Sequence, residues 1–223
     1  MCFIQQKSGK RYSLRAEEIK HKYKSYKELK EDFADMNVAL KTDTEIIADL
    51  IKKLNDSNSD KAAKLVLLED LEYYLHQIDN AQLFCDNGGM SLLMKGLNDT
   101  DDDIKQKSAF VLGSALQSNP KVQIFAIESG VMQQLIRILS IDPNKETRKK
   151  LLYAVSSMIR HFPFAQQKFL ELGGMSALVT LFGDSEDNSL KIKVITLLTD
   201  LYIEKTIAVS DTENSEKKKQ YQQ

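Results

Sequence analysis

The chain of 223 residues contains no tryptophan, three prolines and two cysteines. Each scarcity closes off a class of protein. Two cysteines, Cys2 and Cys85, cannot build a disulfide framework. Cys85 stands beside Leu83 and Phe84 on an apolar face, where a thiol packs as a small hydrophobe. With only Pro120, Pro143 and Pro163 to interrupt it, the chain has room for many uninterrupted helices. No run of about 18 apolar residues occurs, so no membrane-spanning segment is expected. The formal net charge of −1 argues against nucleic acid as a partner, because binders of phosphate backbones usually carry a clear basic excess.

Chemistry is equally sparse. His21, His76 and His161 lie in different segments, without a His or Cys partner at metal-ligand spacing. There is no nucleophile elbow, no P-loop and no dinucleotide glycine fingerprint. The acidic run 99–103 lacks the alternating ligands and central glycine of a calcium loop, and reads instead as the cap of a helix N-terminus. Paired carboxylates such as Glu69 and Asp70 are ordinary on helical surfaces. No catalytic site, metal or cofactor is expected.

What the chain does have is 42% hydrophobic residues in a recurring order. Residues 108–139, SAFVLGSALQSNPKVQIFAIESGVMQQLIRIL, are echoed upstream by DLEYYLHQIDNAQLFCDNGGMSLLMKGL and downstream by AVSSMIRHFPFAQQKFLELGGMSALVTLF. The anchors are Ala81-Gln82, Val122-Gln123 and Ala165-Gln166, then Gly89, Gly130 and Gly174, then leucines three and four apart. Those glycines are 41 and 44 residues apart, the period of armadillo or HEAT repeats. The expected fold is therefore all-α: an armadillo-like, right-handed superhelical solenoid of about three full repeats behind N-terminal capping helices. Each repeat buries its apolar face on the next, making one continuous core.

The divisions expected are a polar, disordered segment 1–24, N-terminal helices in 25–60, repeats in 61–205 and a disordered polar tail 206–223. Tyr26, Leu29, Phe33, Met36 and Leu40 step by three and four and predict one amphipathic helix over 25–40. Thr42 to Glu45 can cap a second helix over 45–54. A long helix over 61–78 is expected to turn Leu65, Leu68, Leu71, Leu75 and Ile78 inward. Each repeat then reads as three helices, with the glycine corner between the first two.

A helical solenoid offers a concave surface lined by the third helix of each repeat. Alignment of those helices puts Glu69, Phe110, Tyr153 and Thr196 in one row. Tyr73, Ser114, Ser157 and Asp200 form the next, and His76, Gln117, Arg160 and Ile203 the one after. Aromatic, hydroxyl and charged groups mixed in this way suit a protein surface. The plainer alternative is that Phe110 and Tyr153 belong to the core and the remainder is solvated.

Several stretches also carry a resemblance. LEDLEYYLHQIDNAQ, SAFVLGSALQSNPKVQIFAIESG and SMIRHFPFAQQKFLELGGM are similar to signature stretches of the Sil/Fes/HspBP armadillo-like family, and EDFADMNVALKTDTEI resembles the lead-in of its Sil-type branch. The likeness covers residues 27–205. It implies a nucleotide exchange factor that grips the nucleotide-binding domain of the endoplasmic-reticulum chaperone BiP and promotes ADP release. The grip is then expected from Glu69, Tyr73, His76, Phe110, Ser114, Gln117, Tyr153, Ser157, Arg160 and Asp200, in a monomer located in the lumen. Asn55-Asp56-Ser57 and Asn98-Asp99-Thr100 are glycosylation sequons, with Asn55 and Asn98 the acceptors, as a lumenal protein would have. The family carries a secretory signal and further helices after the third repeat, whereas this chain stops in KKKQYQQ, so it reads as a fragment, an alternative transcript or a short form. The other reading is an armadillo scaffold for extended peptides. Those scaffolds rely on Trp and Asn ladders, and Phe110, Tyr153, Ser114 and Ser157 stand at the equivalent positions here.

Overall fold

The computed structural model describes residues 22–35, 41–56, 59–184 and 186–210, and among them every regular element is a helix. The chain divides into two compact units at Thr42 and Asp43. The first contains α1, Tyr26–Asp35. Its start is a reciprocal cap: Ser25 Oγ accepts from the Glu28 backbone N–H, and the Ser25 N–H donates to the Glu28 carboxylate at 2.6 Å. Lys24, just before the helix, pairs with Asp32 on it. Met36 and Leu40, expected at the end of this helix, lie outside the described residues.

The second unit holds α2 (Asp43–Leu54), α3 (Lys61–Leu75), α4 (Ile78–Asp86), α5 (Gly89–Leu97), α6 (Asp102–Leu116), α7 (Pro120–Glu128), α8 (Val131–Ile141), α9 (Lys145–Ile159), α10 (Pro163–Glu171), α11 (Gly174–Asp184) and α12 (Asn188–Ser210). The triplets α4–α6, α7–α9 and α10–α12 are three repeats, and α3 stands in the place of a third helix before the first. Short polar residues start these helices. Asp60, Asp101, Asn119 and Asn144 each accept a hydrogen bond from a backbone N–H of the first turn. The corner between the first two helices of each repeat is a glycine at φ +79°, and it is Gly88, Gly130 and Gly173. The structural period is therefore 42 and 43 residues, more even than the sequence alignment on Gly89 and Gly174 gives.

One core runs through the stack. Leu71, Leu93, Leu112, Leu135, Leu152, Leu178 and Leu197 are all buried within it. α6 packs along both α3 and α9, so the third helices form an inner layer. Two expectations fail here. α3 ends at Leu75, not Ile78, because Ile78 opens α4, and its side chain is exposed. α12 continues to Ser210, past the expected end of the repeats at residue 205, since nothing between Ile203 and Ser210 breaks a helix.

In the last repeat the same sequence positions meet no further neighbour among the described residues. Met132 and Ile136 on α8 are 1% and 8% exposed, whereas Met175 and Val179, their equivalents on α11, are 41% and 65% exposed. Ile195 and Tyr202 on α12 are exposed as well, at the positions of buried Leu152 and Ile159.

Charge sets the register between repeats. A lysine near the start of each third helix reaches an aspartate beside the start of the next. Lys61 Nζ lies 2.8 Å from Asp101, Lys105 Nζ 2.7 Å from Asp142, and Lys149 Nζ 2.8 Å from Asp187. Asn144 Nδ2 adds a bond to Asp102 at 2.7 Å. Hydrogen bonding to these aspartates raises all three lysines above their usual 10.5, while hydrogen bonds from the lysines hold Asp101, Asp102 and Asp187 below 3.8.

The pH dependence follows from the two directions. Depressed carboxylates stabilise fully above their unfolded value, and that contribution is lost as pH falls through the folded value. Raised lysines stabilise fully below 10.5, and theirs is lost as pH rises beyond it. The thermal midpoint is expected to hold a plateau between about pH 5 and 10 and fall on both sides, with the acid fall weakened by about 0.5 M salt, which screens exposed pairs. A midpoint that stays level down to about pH 2 would remove the clamps from the account of stability.

Candidate functional site

The third helices α3, α6, α9 and α12 present the three aligned rows. In the first, the Phe110 and Tyr153 rings stand 5.5 Å apart at 39°. They approach because Gly113 lies under Tyr153, where any β-carbon would overlap the ring. Lys150 Nζ sits 4.0 Å from the Phe110 ring centroid and Lys107 Nζ 5.9 Å from it, placing ammonium groups over and beside an aromatic face. Lys107 Nζ is also 3.8 Å from the exposed Glu69 carboxylate. Both aromatic side chains are half-buried.

The second row is mixed. Tyr73 is 72% exposed, with its ring 5.2 Å from Tyr74 in an edge-on arrangement. Ser114 and Ser157, by contrast, are only 3% and 8% exposed. Ser114 reaches across to α3, whereas Ser157 is held by α7 of its own repeat. Ser114 Oγ donates to Glu72 Oε1 at 3.0 Å, and the Ser157 carbonyl accepts from Gln123 at 2.8 Å. Asp200 is half-exposed and pairs with Arg160 Nη2 at 2.6 Å.

The third row lies at the helix ends. His76 Nε2 is 2.6 Å from Glu72 Oε1, so Glu72 ties α3 to Ser114 and to its own last turn. Gln117 is exposed and accepts from the Tyr153 hydroxyl at 3.3 Å. Beyond Arg160, His161 adopts φ +58°, and its backbone N–H donates to Glu204 at 2.9 Å. Glu204 also accepts from Gln166 at 2.7 Å, which fixes α12 against the preceding corner. Thus Glu69, Tyr73, His76, Phe110, Gln117, Tyr153, Arg160 and Asp200 retain surface on the third-helix layer, while Ser114 and Ser157 are withdrawn from it.

Sequence reasoning overlooked Glu72, Glu204, Lys107 and Lys150. The four-residue spacing of Glu72 and His76 was the one available signal. Cys85 is buried and desolvation pushes its thiol up to about 12, so it stays protonated and acts as packing. Asn55 is exposed just beyond α2, and exposed Asn98 ends α5, where its Oδ1 accepts from Arg137 at 2.7 Å. Cys2 and His21 lie outside the described residues. Among the described residues no three His, Cys, Asp or Glu side chains converge as metal ligands, and no single helix is long and apolar enough to cross a membrane.

Known proteins agree with this architecture. A computationally designed armadillo repeat protein for modular peptide recognition superposes with TM-score 0.61 at 18% identity, over 79% of each chain. A designed armadillo repeat protein in complex with the peptide (KR)4 gives 0.60 at 18% identity over 78% of each. These likenesses establish the fold. Sequence relatives are far closer. Nucleotide exchange factor SIL1 of Rattus norvegicus is 44% identical over 210 residues, covering 92% of this chain and 45% of its own length. Its Drosophila melanogaster counterpart is 37% identical over 216 residues, covering 91% of this chain and 50% of the relative. The chain thus spans about half the length of the relatives it matches. Residues 80–223, comprising the three repeats and the residues after them, match the SIL1/FES1/HPBP1 C-terminal domain. By that match and those identities, the chain belongs to the SIL1/FES1/HPBP1 family, on a fold of armadillo-like repeats.

Proposed function

We propose that this chain is an exchange factor for the Hsp70-type chaperone of the endoplasmic-reticulum lumen, BiP, and that it grips the chaperone's nucleotide-binding domain through the third-helix layer. The observation that carries this reading is the identity of 44% with a SIL1 exchange factor over nearly the whole repeat stack. The layer supplies what such a grip needs: an exposed tyrosine, a paired aromatic plate and polar groups already held by their neighbours. Tyrosine and arginine are the side chains that most often dominate protein interfaces. Tyr73, Phe110, Tyr153, Arg160 and Asp200 are the anchors of the proposal, and Glu69, His76 and Gln117 its rim.

The mechanism requires no reacting group. If the layer fits the nucleotide-binding domain better when its lobes have rotated apart, binding shifts the population toward the open form and ADP leaves. Linkage makes the effect reciprocal, so bound ADP weakens the complex by the factor by which the complex weakens ADP. The peptide-scaffold reading is less well supported. A groove for a basic peptide needs acidic walls, and here Lys107 and Lys150 stand beside the aromatic plate.

The test is release of labelled ADP from purified BiP on mixing with this chain. Release is expected to accelerate by about tenfold, within the roughly 5–150-fold weakening of ADP binding that a coupling of about 1–3 kcal/mol gives when it is expressed in the off-rate, and excess ADP is expected to compete with complex formation. An unchanged release rate at saturating chain, with binding present, would leave a scaffold without exchange activity.

A further inference from the structure

We infer that the third-helix layer receives a carboxylate-bearing segment of its partner along a row of lysines, Lys107, Lys150 and Lys193. This rests on the reading of the layer as the chaperone-binding surface and specifies the chemistry it selects. The three lysines occupy one register position on α6, α9 and α12, 43 residues apart each time. They stand one turn before the row that contains Phe110 and Tyr153. The equivalent position on α3 is Val66, exposed and apolar, so the charge begins at α6.

Two of the three ammonium groups are already oriented. Lys150 Nζ lies 4.0 Å from the centroid of the Phe110 ring, and Lys107 Nζ 5.9 Å from the same centroid. A cation held on an aromatic face has less rotamer freedom to lose when a carboxylate arrives. Lys107 has one acidic neighbour, the exposed Glu69 at 3.8 Å, too loose to neutralise it. Lys193 is exposed. The contrast with Lys61, Lys105 and Lys149 is informative, because each of those is committed to an aspartate of the next repeat. One set of lysines joins the repeats through close carboxylates; in the other, Lys193 is exposed, and half-buried Lys107 and Lys150 keep their ammonium groups at the Phe110 ring with no carboxylate nearer than 3.8 Å among the pairs they make.

Spacing limits what fits. Packed helices lie about 8–10 Å apart, so three ammonium groups in register span about 20 Å. An extended chain advances about 3.3 Å per residue, which puts matching carboxylates about three residues apart in a segment of six or seven. Phe110 and Tyr153 offer an apolar plate beside it for a side chain between the acids. Nucleic acid would meet the same lysines. However, the chain's overall charge of −1 and the carboxylates Glu69 and Asp200 on the same layer oppose a phosphate backbone.

The experiment measures association of this chain with the isolated nucleotide-binding domain of BiP at about 50 and 300 mM salt, for the wild type and for Lys107→Glu/Lys150→Glu/Lys193→Glu. Steering by a charged row is expected to make the wild-type on-rate fall by about tenfold across this range, and the triple variant to associate about tenfold more slowly at low salt with little salt dependence left. Lys150→Gln, which keeps the side chain's volume, is expected to fall between the two and to melt with the wild type. Equal or faster association by the triple variant at low salt, or a 20-nucleotide RNA displacing the domain, would overturn the acidic-segment assignment while leaving chaperone binding intact. No association of the wild type at either salt would overturn the chaperone reading itself.

Discussion

Valine at position 89 is expected to destabilise the stack by about 2–4 kcal/mol, and to do less harm when Phe84 is alanine at the same time. Gly89 opens α5 directly after the left-handed Gly88, and a β-carbon there would overlap the ring of fully buried Phe84. The ring has no surface to retreat to, so the extra carbon atoms force either the helix or the ring from its place. Removing the ring alone leaves a cavity and costs about 3–5 kcal/mol. The third repeat repeats the arrangement with Gly174 and Phe169. The second repeat solves the same corner differently. There Val131 follows the left-handed Gly130, and Ala126 occupies the position of the ring, both fully buried. Large ring with glycine, and alanine with valine, are two fillings of one space. Phe84→Ala/Gly89→Val is therefore expected to cost about 1–2 kcal/mol less than the sum of its single changes, read from denaturant midpoints followed by circular dichroism. Strict additivity would show that the corner relaxes freely, and that the match between residues 84 and 89 is not what holds it.

Most of the architecture was legible because helices are written in local spacing. The glycine corners, the leucines three and four apart and the acidic run 99–103, which caps α6 through Asp101, all lie within one or two turns of the features they determine. The surface of the third-helix layer was less legible, since it depends on residues about 40 positions apart. Ser114 and Ser157 align with Tyr73 and Asp200, but nothing in their own helices says that they are buried. Glu72 reads as one more surface acid until Ser114, 42 residues on, is found donating to it. Lys107 and Lys150 went unremarked, because the ring that both approach belongs to the helix of only one of them. The corner glycine shows the same limit on a smaller scale. In Gly88-Gly89 and Gly173-Gly174 the sequence offers two glycines, and only backbone geometry assigns the left-handed turn to the first and the ring contact to the second.

Truncating Tyr73 to alanine is expected to weaken chaperone binding by about 30-fold, the factor that corresponds to about 2 kcal/mol at an interface anchor, while leaving the fold untouched. Its ring is 72% exposed and touches only Tyr74 edge-on among the aromatic contacts, so its removal should change stability by no more than about 0.5 kcal/mol. Phe110→Ala is expected to behave otherwise. That ring is half-buried, 4.0 Å from Lys150 Nζ and 5.5 Å from the Tyr153 ring, and its loss should cost about 2–3 kcal/mol of stability as well as binding. The pair of variants separates an anchor that serves only the partner from a plate that serves both partner and stack. Calorimetric titration against the nucleotide-binding domain, with a thermal melt of each variant, reads both quantities. Wild-type affinity in Tyr73→Ala would move the grip away from α3 and the N-terminal end of the layer. An undiminished affinity in folded Phe110→Ala would return the ring to the core alone, and leave the lysines beside it without the apolar plate on which an acidic segment could rest.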